Sequence, residues 1–79
     1  MEHMKYLSKA EMMSLPLCTR SYIVLHNYII HNADRDLYRK IISEYLEEIP
    51  VFELMQILHT ARIMFLGDYQ DIVDLIFIH

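Results

Sequence analysis

The sequence predicts an all-α protein. It reads as a compact bundle of four to five short helices in one domain over residues 1–79, with a last segment open between helix and strand. Three observations lead there. The chain holds one glycine, Gly67, and two prolines, Pro16 and Pro50, so regular elements run long and connections are short. Apolar residues recur at helical spacing, with no sustained alternation of period two. Near the start, "LSKAEM" carries a helix-initiation pattern.

In that pattern Ser8 can accept from the Glu11 amide while Glu11 reaches back to the amide of Ser8, closing a capping box. Leu7 and Met12 stand where a hydrophobic staple would lie. The helix stops before Pro16, whose ring pushes the preceding residue out of the helical region.

The second helix spans about Thr19 to Asn32. Its β-branched residues admit a strand, but the segment is long for one and does not alternate. As a helix it has Tyr22, Leu25, His26 and Ile29 on one stripe and Ile23 and Ile30 on another. Apolar groups nearly encircle it, which marks a central helix. "HNADRD" follows as a turn.

The third helix, about Arg35 to Glu48, is strongly amphipathic. Leu37, Tyr38, Ile41, Ile42, Tyr45, Leu46 and Ile49 share one half of the wheel, and Arg39, Lys40, Ser43, Glu44 and Glu47 take the other. Pro50 fits the first position of a fourth helix, where its missing N–H costs nothing. That helix runs to about Leu66 and is ended by Gly67. Leu54, Ile57, Leu58, Ala61, Met64 and Phe65 form its main stripe. A second stripe of Phe52, Met55, Ile63 and Leu66 lies on nearly the opposite side. Asp68 caps a last helix whose stripe is Tyr69, Ile72, Val73 and Ile76. The closing "LIFIH" is the segment left open between helix and strand.

The totals set the functional expectation. Hydrophobic residues make up 54% of the 79, above the usual ~45–50%. A chain of this size buries only about 60% of the surface its unfolded form exposes. The surplus must stay outside or meet a partner, and a homodimer or a complex with another protein is the natural outlet. With 11 acidic against 7 basic side chains, the net charge is −4. That disfavours nucleic acid, whose binding depends on basic patches. No apolar run approaches the ~20 residues of a membrane span. The N-terminus lacks the apolar stretch of a signal peptide. Cys18, the single cysteine, suits a reducing interior. The expected setting is the cytoplasm of a bacterium or of an infected cell.

Chemistry is harder to find. His26 and His31 are five positions apart, about 140° around a helix, so their rings diverge where a metal pair wants separations of three or four. The expectation is no metal and no cofactor, with His26 and Asn27 hydrogen-bonded in or beside the core. Cys18 lies near Arg20 but has no base or oxyanion pocket beside it in the pattern, so it reads as a buried structural thiol rather than a nucleophile. Glu44, Glu47, Glu48 and Glu53 read as a solvated acidic face. Arg35, Arg39 and Lys40 would touch phosphates if helices three and four formed a helix-turn-helix, although the second of these offers only Arg62 as a base.

The second stripe of the fourth helix carries the functional expectation. It is either core, if that helix is central, or a partner surface. Phe52 beside Met55 suits a partner surface, since aromatic anchors concentrate binding energy and methionine adapts its shape. The expected partner-binding residues are Phe52, Met55, Ile63, Leu66, Phe77 and Ile78. The expected function is a small regulatory or inhibitory protein, phage- or virus-encoded in one version, that occupies another protein's surface without catalysing a reaction. A helix-turn-helix DNA-binding regulator is the alternative.

Overall fold

A computed structural model gives the fold, and describes residues 7–31 and 35–77; at 35–37 only the backbone is described. Among the described residues five α-helices follow one another: α1 (Lys9–Ser14), α2 (Leu17–Ile30), α3 (Arg35–Glu48), α4 (Val51–Met64) and α5 (Tyr69–Phe77). A 3-10 turn at Leu66–Asp68 joins the last two. There is no strand among the described residues, so the protein is all-α.

Local chemistry explains the helix ends. The capping box closes as the sequence predicts: the Glu11 amide donates to Ser8 Oγ at 3.2 Å, and the Ser8 amide donates to Glu11 Oε1 at 3.0 Å. Leu15 is extended before Pro16, with ψ 149°, and α2 begins at the next residue after the proline, two residues earlier than the sequence suggests. Pro50 is the N-cap of α4 rather than its first helical residue. At its other end α4 stops at Met64, and Phe65 closes it by donating its N–H to the Ala61 carbonyl at 2.9 Å. Gly67 does not take the left-handed conformation of a glycine cap. Asp68 closes the 3-10 turn instead of standing free as the cap of α5. "LIF" of the closing segment is helical through Phe77; Ile78 and His79 lie outside the described residues, as does the turn at 32–34.

The core gathers Met12 from α1, Val24, Leu25 and Tyr28 from α2, Tyr38, Ile42, Tyr45 and Leu46 from α3, Ile57 and Ala61 from α4, and Ile72, Leu75 and Ile76 from α5. α4 packs mainly on α2 and α5, while α3 packs on α1, α5 and α2. The amphipathic reading of α3 holds, with Ile41 only partly buried and the Leu37 side chain outside the described residues.

Two stripes differ from expectation. On α2 the buried arc is Arg20, Ser21, Val24, Leu25, Asn27 and Tyr28, whereas Tyr22 and Ile30 are exposed. Half of that arc is polar, so counting apolar residues rotates the predicted face away from the true one. On α4, Met64 is exposed, and Glu53 takes a buried place in line with Ile57 and Ala61.

Asn27 explains one of the polar intruders. It is fully buried, and its Oδ1 accepts from the Leu7 amide at 3.2 Å and from the Tyr38 hydroxyl. One side chain thus ties the residue before the α1 N-cap and the first turn of α3 to α2, and its hydrogen bonds offset the cost of burying an amide. Asp71 performs a similar task from α5: it accepts from the Tyr28 hydroxyl at 2.7 Å and stands 3.6 Å from the Arg39 guanidinium.

Candidate functional site

The outward side of α4 is where apolar surface concentrates. At about 100° per residue, Val51, Phe52, Met55, His59, Arg62 and Ile63 fall on one arc, away from the buried line Glu53, Ile57 and Ala61. Phe52 is 68% exposed, Met55 65%, Ile63 63% and Val51 71%. Leu66, in the turn that follows, is 68% exposed. The predicted second stripe is therefore surface and not core. Leu54, Leu58 and Phe65 pack against the core on the other flank.

The strip is held rigidly from beneath. Arg20 and Glu53 form a buried ion pair between α2 and α4, with Nη1 at 3.2 and 3.3 Å from the two carboxylate oxygens. The rest of the guanidinium donates to backbone carbonyls: Nε to Leu15 at 3.2 Å, and Nη2 to Leu15 at 2.9 Å and Met13 at 2.6 Å. Tyr45 completes the group by donating its hydroxyl to Glu53 Oε2 at 2.7 Å. Burial first, and the carboxylate second, push the Tyr45 phenol well above its ordinary value. Three helices thus meet at one carboxylate, and the Arg20 guanidinium adds the Met13 and Leu15 carbonyls at the end of α1. Glu53 does not belong to a solvated acidic face; Glu44, Glu47 and Glu48 are exposed.

The other end of α4 is fixed by rings. Tyr22, His26 and Phe65 form an aromatic trio, with centroids 5.4 Å apart for Tyr22–Phe65, 5.7 Å for Tyr22–His26 and 6.5 Å for His26–Phe65. His26 therefore packs from α2 against the end of α4, while His31 meets Tyr38 edge-on at 5.8 Å. Among the described residues no three His, Cys, Asp or Glu side chains gather where a metal ion could sit.

Beside Phe52 lies a shallow, open depression of about 270 Å³, lined by Leu17, Cys18, Ser21, Phe52, Glu53 and Gln56. Cys18 is exposed at its rim, in the first turn of α2 beside the exposed Leu17, and not buried as the sequence reading has it. Leu17, also exposed, extends the apolar surface from α4 onto α2.

The remaining predicted residues fare differently. Phe77 is 69% exposed at the end of α5, on a different helix from the strip. Ile78 lies outside the described residues. Of the bases proposed for phosphate contact, Arg39 is engaged with Asp71 on α5, and the Arg35 side chain is outside the described residues. No described helix is long and apolar enough to cross a membrane. Compared with models of protein families, with curated proteins and with solved structures, the chain matches none.

Proposed function

We propose that this protein is a small regulatory or inhibitory module that works by protein–protein binding, with the outward face of α4 as its binding surface and no catalytic step. The observation that carries this reading is the exposed strip of Val51, Phe52, Met55, Ile63 and Leu66. Large exposed apolar side chains gathered on one helix face of a small domain suit an interaction site. Its composition fits: an aromatic side chain and a methionine at one end, branched aliphatics at the other, and His59 and Arg62 along its length. The buried Arg20–Glu53–Tyr45 group and the Tyr22–His26–Phe65 trio hold the two ends of α4, so its backbone is in place before binding and the ordering cost falls on the exposed side chains alone.

The test compares the wild-type chain with Phe52→Asp as baits in extract of the cells that make the protein. Circular dichroism first establishes that both baits fold alike. A protein retained by wild type and released by Phe52→Asp supports the reading. Equal retention by both baits overturns it.

A further inference from the structure

We propose that the occupant of the α4 strip is a second copy of this chain, docked antiparallel about a two-fold axis that passes beside His59. The proposal rests on the reading of α4 as a protein-binding face and names what covers it.

The strip is symmetric about its own midpoint. Met55 and Ile63 stand four residues either side of His59, and Phe52 and Leu66 stand seven either side. All four are exposed. In an antiparallel pair centred on His59, each residue meets the one equally far beyond the centre. Met55 then faces Ile63 of the second copy and His59 faces His59, while Phe52 points toward the 3-10 turn that carries Leu66. Gln56 falls opposite Arg62, an amide oxygen opposite a guanidinium at the rim. An isologous interface requires this self-complementarity, because the same patch must serve both sides.

Two further features agree. Between Val51 and Gly67 the one acidic residue is Glu53, and it is buried against Arg20. A chain with net charge −4 therefore offers its twin a face with no exposed carboxylate to repel it. The depression beside Phe52, lined in part by Leu17 and Cys18, carries the apolar surface on from the edge of the strip toward α2. An ordinary specific interface takes about 800 Å² per partner out of water, which the strip reaches only together with its rim.

The test uses the full chain. Sedimentation equilibrium of the wild type at micromolar concentration gives a dimer, and Met55→Asp weakens it tenfold or more. With Cys18→Ser as background, His59→Cys forms a disulfide-linked dimer on mild oxidation. In the same background, a mixture of Met55→Cys and Ile63→Cys chains gives the mixed disulfide in preference to either like pair. A wild-type monomer at 100 μM overturns the proposal, while a strip-dependent partner captured from extract would still uphold α4 as a binding face. A dimer without the His59→Cys cross-link, or with like pairs preferred in the mixture, overturns it equally.

Discussion

Arg20 and Glu53 are 33 residues apart in sequence, yet their charges meet at 3.2 Å beneath the exposed face of α4. Both side chains are about nine-tenths buried or more. Such a pair brings little net stability by itself, because both ions lose their hydration. Its importance is that either partner alone is a buried, uncompensated charge.

Removing one partner is therefore costly. Glu53→Ala strands the Arg20 guanidinium and leaves the Tyr45 hydroxyl without its acceptor, a loss of about 3–5 kcal/mol. Arg20→Lys also fails, since one ammonium cannot serve the carboxylate and the Met13 and Leu15 carbonyls in the same plane. Arg20→Met with Glu53→Leu recovers much of the deficit. Urea unfolding of the three variants checks the order.

Tyr45 makes the same cluster sensitive to alkali. Its phenol is held protonated in the folded protein by burial and by the Glu53 carboxylate, and ionises above its ordinary value near 10. A raised folded-state value means this stabilisation is complete below pH ~10 and is lost as pH rises beyond it. One proton contributes at most about 1.4 kcal/mol per pH unit. Tyr45→Phe should unfold more easily at neutral pH by about 1–2 kcal/mol, and its stability should fall less steeply above pH ~10. Chemical denaturation between pH 8 and pH 11, two convenient bounds, reads both effects.

Gly67 tests the reading of the α4–α5 connection. It lacks the positive φ of a glycine cap, and a Cβ built there meets nothing within 4 Å. Gly67→Ala should therefore stabilise the fold by about 0.4–1 kcal/mol through the unfolded chain's lost freedom. A destabilised variant would show that the turn needs glycine.

Much of this fold is legible in the sequence, and the failures share a cause. Ser8 with Glu11, and Pro16 after Leu15, act within a few residues of themselves, so local rules find them. The α3 wheel works because its buried positions are apolar. On α2 and α4 the buried lines carry Arg20, Ser21, Asn27 and Glu53, which a hydrophobic stripe cannot include. Their partners lie in other helices, so nothing local signals their burial. Cys18 is missed for a related reason: free cysteine is usually buried, and only the packing of the other helices leaves the first turn of α2 uncovered. The Phe52, Met55, Ile63 and Leu66 stripe is legible as a face, but whether it points inward depends on which side of α4 the Arg20–Glu53 pair claims.

Fluorescence-detected sedimentation of the full chain, labelled at its N-terminus and placed in extract of the cells that make it, tests the binding role of α4 most directly. Wild type should sediment as a species larger than its own 9.5 kDa, and Met55→Asp, folded to the same helicity, should sediment as the lone chain. Identical sedimentation of the two would contradict a binding role for this face.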